Sequence, residues 1–197
     1  FLGEVGENSV HHRSWVAWFH ELPLWIEEPG FRVVHACWSP AHVAMLRPQL
    51  GDGERLTPDL VKAASCKDTS AYEAVEVLLK GLEVALPPGA GFRDKEGHER
   101  RDMRTRWWDR TLTTYRAAYQ GPPGADIPDT PMVGYTPPPT VDRPTFIGHY
   151  WLPFAAPPAP LSPRVACVDY SVARGGPLAA YRFDGESELK AEKFVTV

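Results

Sequence analysis

The chain has 197 residues, a formal net charge of −4, a hydrophobic fraction of 43% and a charged fraction of 23%. These values are typical of a single globular domain over residues 1–197. The slight acidic balance argues against nucleic-acid and membrane partners, and no apolar run reaches the roughly 18 residues of a membrane span. The three cysteines lack CxxC spacing, which argues against a disulfide framework or a zinc ribbon and favours a cytoplasmic protein.

An aromatic helix is predicted near the N-terminus, from about Ser9 to Leu22. Its aromatic residues Trp15, Trp18 and Phe19 recur at the spacing of one helical face. We expect these three side chains to be buried in the core.

A hairpin follows in "LPLWIEEPGFRVVHAC", where two short apolar strands flank a turn at Pro29-Gly30. Two helices are then predicted between residues 57 and 81. Thr57 precedes a proline at the first helical position, and Ser70 and Glu73 have the spacing of a capping box.

The second half of the chain is predicted to hold one more helix, a long loop and several strands. The basic, aromatic segment from about Arg100 to Tyr119 is expected to be helical. Residues 120–143 are rich in proline and glycine but also contain apolar side chains, which indicates an ordered surface loop. Short apolar strands such as "PTFIGHYW" and "RVACVDYSV" then follow.

Two predicted strands end in a histidine. His35 ends "FRVVH" and His149 ends "TFIGH". A single histidine in a strand is most often a hydrogen-bonded core residue, but two at strand ends can also hold a metal, because a rigid strand fixes the direction of the side chain. Gly148 is expected to let the backbone approach closely there. Cys37 lacks the arginine of a cysteine-phosphatase loop, since Val43 stands six residues on, and is expected to be simply buried.

Four phrases of the sequence resemble the calcineurin-like metallophosphoesterases, in the bacterial branch related to serine/threonine protein phosphatases and diadenosine tetraphosphatases. They are "LPLWIEEPGFRVVHACW", "RTRWWD", "FIGHYWL" and "VACVDYSVARGGPLAAYRFDGE". The resemblance runs over nearly the whole chain. The family's early motifs GDxHG, GDxxDRG and GNHE are absent from it. The resemblance therefore implies an α/β (α+β) fold that is the C-terminal portion of a four-layer α/β/β/α sandwich.

The family resemblance implies a hydrolase that cleaves phosphoesters with a hydroxide bridging two divalent ions, Mn²⁺, Fe or Zn²⁺. His35 matches the fourth motif and His149 the fifth, and both would bind the same ion. The catalytic residues would lie upstream of Phe1, in the missing N-terminal half of the same fold. That half would be a partner of the chain besides the phosphoester substrate, and the chain alone is expected to be inactive.

Arg104 and Arg106 are candidates for binding the substrate phosphate, because the guanidinium fork matches phosphate oxygens. The same two residues are equally typical of a solvated helix face. A different class of function also fits the sequence: a non-catalytic binding or structural module whose histidines are hydrogen-bonded in the core.

Overall fold

Short helices and strands alternate along the chain in the computed structural model, which describes residues 1–94 and 97–197. The α-helices are α1 (Leu2–Val5), α2 (Val10–Glu21), α3 (Pro40–Leu46), α4 (Pro58–Ala64), α5 (Ser70–Lys80) and α6 (Tyr115–Ala118). The strands are β1 (Trp25–Glu27), β2 (Arg32–Val34), β3 (Glu83–Ala85), β4 (Phe92–Arg93), β5 (Glu99–Arg100), β6 (Asp102–Arg104), β7 (Thr145–Ile147), β8 (Val165–Cys167), β9 (Ala179–Tyr181) and β10 (Phe194–Thr196). This mixed content confirms the α/β fold class at that level.

A four-stranded sheet with the order β1-β2-β7-β8 forms the centre of the structure. β1 and β2 form the predicted antiparallel hairpin, in which Trp25 lies opposite Val34. β7 runs parallel to β2, and β8 runs parallel to β7. Three neighbouring strands therefore end at the same edge of the sheet.

Alternate residues of the strands supply two apolar layers, one on each face of the sheet. Val34 and Ile147 belong to the main core, which also contains buried residues of α3, α4 and α5. Phe146 and Ala166 belong to a smaller cluster on the other face, with partly buried side chains of β9 and β10. The sheet thus lies between a helical layer and the antiparallel ribbon of β9 and β10.

The predicted helix caps between residues 57 and 81 are largely confirmed. The Thr57 hydroxyl accepts a hydrogen bond from the amide of Leu60 and begins α4. α5 begins one residue earlier than the predicted capping box, because the Thr69 hydroxyl takes the cap by accepting from the amide of Tyr72. Ser70 is therefore the first helical residue and not the cap.

The aromatic helix α2 forms as predicted, but its aromatic face is not buried. Trp15, Trp18 and Phe19 are 43%, 47% and 46% exposed, and α2 contributes no buried residue. The three rings contact one another instead of the core. The helical period was recognisable in the sequence, but what the face contacts is a property of the tertiary structure.

The predicted helix between Arg100 and Tyr119 is wrong. Residues 102–104 form β6, which pairs with β3, and only Tyr115–Ala118 is helical. Met103 is buried and its two neighbours are not, which is the alternation of a strand. With Ile127 and Met132 of the predicted ordered loop, Met103 forms a separate small core.

None of the helices in the two described ranges is long and apolar enough to cross a membrane.

Candidate functional site

The two predicted histidines meet at the carboxyl edge of the central sheet. His35 follows β2 and His149 follows β7, and the amide of Gly148 donates to the carbonyl of His35 at 2.9 Å. The two imidazole centroids lie 5.2 Å apart, with the rings tilted by 57°. The structure therefore brings these side chains together across neighbouring parallel strands.

The backbone at His149 differs from the expectation for Gly148. A Cβ at Gly148 would lie 3.7 Å from the nearest atom, which is an ordinary contact, so glycine is not needed there for close approach. The unusual conformation falls on His149, whose φ is 69°. Histidine is among the residues that occupy this region more often than most, but the conformation still carries strain. The strained backbone conformation of this turn therefore lies at His149 and not at Gly148.

Partial removal from water lowers the pKa of both imidazoles, although His35 as a whole residue is exposed. The pKa of His149 is lowered to about 4, mainly by burial and to a smaller extent by the positive charges of Arg104 and His35. The pKa of His35 is lowered mainly by desolvation, and the charge of Asp169 opposes the shift. Both rings are therefore neutral at physiological pH, which is the form that binds metals.

One ring nitrogen of His149 has no hydrogen-bond partner. Its Nε2 is buried and finds no partner among the residues that the structure describes. A buried polar atom without a partner is unfavourable and calls for an explanation, such as a ligand. A ligand could satisfy this nitrogen.

Arg104, one of the two predicted phosphate-binding residues, lies beside this site. Its charge is the second largest influence on the pKa of His149. Arg104 pairs across β3 and β6 with Glu83, at 3.5 Å from Nε to Oε1, but the geometry gives Nε no hydrogen bond. This N–H therefore faces a carboxylate without forming a hydrogen bond of good geometry among the described residues.

Arg106 does not share this position. It is exposed, and its charge is not among the main influences on His35 or His149. Hydrogen bonds from Thr111 and, to a smaller extent, the charge of Arg106 lower the pKa of Asp109 instead. Of the two arginines, only Arg104 lies with the histidines.

A buried hydrogen-bonded clamp fixes the segments that carry the site. The hydroxyl of Tyr150 donates to the carbonyl of Ala36 at 3.1 Å. The indole N–H of Trp107 lies 3.2 Å from the same carbonyl and 3.1 Å from the Tyr150 oxygen. Ala36 and Tyr150 each follow one of the two histidines, so the clamp ties both turns to the segment that follows Arg104.

Asp169 was missed from the sequence. It stands two residues after β8, as His149 stands two residues after β7, and the register pairs Ile147 with Cys167. Its charge acts on the pKa of both histidines. The equal spacing in "FIGH" and "ACVD" was the available signal, but it is informative only once the strands are known to be parallel neighbours.

The separation of the two rings can be compared with that of two histidines on one metal ion. Two rings that each place a nitrogen about 2.1 Å from one ion have centroids roughly 5–5.5 Å apart at a tetrahedral angle. The observed separation of 5.2 Å fits this arrangement. Across residues 1–94 and 97–197, no group of three or more His, Cys, Asp or Glu residues is placed to hold a metal. Further ligands for an ion would therefore have to come from outside the described residues or from solvent.

The neighbouring cysteines do not supply nucleophiles. Cys37 and Cys167 are buried, and burial raises the pKa of both thiols, that of Cys167 to about 12. The thiolate is the nucleophilic form, and it is not populated at such values. The expectation that Cys37 is simply buried is confirmed.

Comparison of the chain with protein-family models, with curated proteins and with solved structures finds no match.

Proposed function

We propose that this chain belongs to a metal-dependent phosphoesterase, as the C-terminal portion of a calcineurin-like sandwich. The observation that carries the proposal is the opposed pair His35 and His149, with a buried ring nitrogen that has no partner within residues 1–94 and 97–197. Neutral imidazoles of this kind suit Zn²⁺, Fe or Mn²⁺. The family resemblance of the surrounding phrases adds the reaction class.

The chain's own residues would contribute binding and orientation. A bound divalent ion lowers the pKa of a coordinated water and stabilises charge on phosphate oxygens. His35 and His149 hold nitrogen donors at a fixed separation. Arg104, whose charge acts on His149, would supply a guanidinium for a phosphate oxygen. The Trp107–Tyr150 clamp keeps these three groups in one geometry.

A second class of function, a binding module with structural histidines, is less well supported. Histidines that serve only the core are hydrogen-bonded. His35 is exposed, and Nε2 of His149 has no partner among the described residues. Neither observation is expected of core histidines.

The exposed aromatic face of α2 supports the proposed partner, the N-terminal half of the same fold. Trp15, Trp18 and Phe19 form a cluster of rings that the described residues leave half exposed. Clusters of this kind are typical of contact surfaces. We propose that this face packs against the preceding half, which would also supply the remaining metal ligands.

Metal binding by the chain itself is the first test. Isothermal titration with Zn²⁺ should reveal one site in the wild-type chain, weakened at least about tenfold in His35→Ala and in His149→Ala. His20→Ala is the matched control, because His20 is an exposed histidine on α2. Equal affinity in all four proteins would show that the pair does not bind metal.

Activity is the second test. The chain alone should not hydrolyse an aryl phosphate, whereas the chain joined to a preceding half with GDxHG, GDxxDRG and GNHE should do so with Mn²⁺. His149→Ala should abolish that turnover, and Arg104→Ala should raise KM. A coding sequence without these motifs before Phe1, or a silent joined protein, would favour the binding module.

A further inference from the structure

We propose that Asp169 is the positioning residue of the histidine pair: its carboxylate holds the turn that presents His149 and supplies the negative charge that a cation site needs. The inference rests on the proposed metal-binding function. The inference adds to that function, because neither the two-histidine pattern nor the family motifs assign a role to Asp169.

The Asp169 carboxylate accepts two backbone hydrogen bonds. Oδ2 accepts from the amide of Trp151 at 3.4 Å, and Oδ1 accepts from the amide of Ser171 at 3.1 Å. The backbone carbonyl of Asp169 also accepts from the amide of Leu152 at 2.9 Å. One residue therefore joins the turn after β7 to the turn after β8.

The turns that Asp169 joins have an uncommon backbone conformation. His149, Trp151 and Ser171 have φ values of 69°, 50° and 63°. Non-glycine residues adopt this region rarely and keep it only where surrounding contacts impose it. Asp169 binds the amides of two of the three, and the third is the candidate ligand two residues before Trp151. The amide of Tyr150 also donates to the carbonyl of the residue before His149 at 2.8 Å, so the carboxylate is one of the contacts that impose this turn.

Asp169 also contributes to the electrostatics of the two histidines. The main charges that act on His149 include Arg104 and Lys80, which are positive, and Asp169, which is negative. Asp169 is also the charge that acts on His35. No other carboxylate appears among the main influences on either ring. Each of these two cations is itself ion-paired with a glutamate, so Asp169 is the carboxylate whose charge acts on the rings themselves.

The carboxylate acts on the site without being a ligand. His35, His149 and Asp169 do not form a group placed to hold one ion within the described part of the chain. Outer partners of this kind fix the orientation of ligating histidines, and their loss typically weakens metal binding about 10–100-fold. Asp169 fits that role through the backbone of the His149 turn.

The test compares Asp169→Ala and Asp169→Asn with the wild-type chain. Asp109→Ala is the matched control, because Asp109 Oδ1 accepts from an amide two residues on at 3.0 Å in the same way but is not among the charges on the histidines. In Asp169→Ala, the amides of Trp151 and Ser171 should exchange hydrogen at least about tenfold faster. The imidazole NMR signals of His149 should shift and broaden, and those of the control should not.

Titration with Zn²⁺ completes the test. Affinity should fall about 10–100-fold in Asp169→Ala. Asp169→Asn keeps one hydrogen-bond acceptor but not the charge. Its affinity for Zn²⁺ should therefore lie between those of Asp169→Ala and the wild-type chain. Unchanged exchange and imidazole signals in Asp169→Ala would overturn the positioning role, whatever the metal result. Changed signals together with a wild-type chain that binds no Zn²⁺ would leave the positioning role standing and contradict the proposed metal function.

Discussion

The indole nitrogen of Trp107 and the hydroxyl of Tyr150 lie 3.1 Å apart, and both donate to the carbonyl of Ala36. All three groups are buried. Tyr150→Phe removes the hydroxyl and leaves Trp107 with a single acceptor. We expect the free energy of unfolding to fall by about 1–2 kcal/mol, measured by urea denaturation.

The control for this clamp is Tyr72→Phe, since the Tyr72 hydroxyl has no hydrogen bond among those in the described ranges and its ring is half-buried. The free energy of unfolding of Tyr72→Phe should stay within about 0.5 kcal/mol of the wild-type value. Equal effects of the two substitutions would mean that the hydroxyl of Tyr150 contributes no special stability.

Two glycines near the site should respond in opposite ways to alanine. A Cβ at Gly81 would lie 2.6 Å from the Tyr150 hydroxyl, and φ there is +94°, so Gly81→Ala should cost about 2 kcal/mol or more. Gly148→Ala meets only contacts of 3.7 and 3.8 Å and should change stability by about 0.5 kcal/mol or less. Thermal unfolding of both variants measures these losses of stability. A larger loss for Gly148→Ala than for Gly81→Ala would contradict the backbone conformation described for the two glycines.

Two tryptophans should differ strongly in their contribution to stability. Trp25 is 2% exposed in the main core, so Trp25→Ala should cost about 3–5 kcal/mol. Trp18 is 47% exposed, and Trp18→Ala should cost about 1 kcal/mol or less in this chain. A large loss for Trp18→Ala in urea denaturation would show that the face of α2 is already packed.

Stability without metal should depend on pH through His149. Its pKa is about 4 in the folded chain, against about 6.5 in the unfolded chain. Between these values the unfolded state binds more protons, so the free energy of unfolding decreases as pH falls. The loss over this window is about 1–3 kcal/mol, since one pKa unit corresponds to about 1.4 kcal/mol and solvent screening reduces the effect.

His149→Gln should flatten this dependence, and His20→Gln should not. Urea midpoints at about pH 7, 6 and 5 in the presence of a chelator measure the slope. The same slope in His149→Gln and wild type would contradict the buried, neutral state of this ring.

Local signals in the sequence were sufficient for some of these features. The turn at Pro29-Gly30, the Thr57 cap and the strand-end positions of His35 and His149 all depend on neighbouring residues. The proximity of the two histidines was also expected, since both follow predicted strands and the proposed family resemblance assigned both to one ion.

Features that depend on tertiary pairing were not predictable in this way. β6 forms where a helix was predicted, because pairing with β3 and burial of Met103 outweigh local helix preference. The exposure of Trp18 depends on what lies against α2. Asp169 joins the site through the parallel register of β7 and β8, which the spacing of residues within each strand does not encode.

The long separation of the clamp residues has a consequence for the order of folding. Ala36 and Tyr150 are 114 residues apart in the chain, whereas the hairpin of β1 and β2 closes through a short turn. Distant contacts form later because they require a large loss of chain entropy. We therefore expect the hairpin to acquire amide protection early in refolding and the histidine pair to assemble only when β7 docks, which pulse-labelled hydrogen exchange would resolve. A nascent or partly folded chain would then have a hairpin but no site.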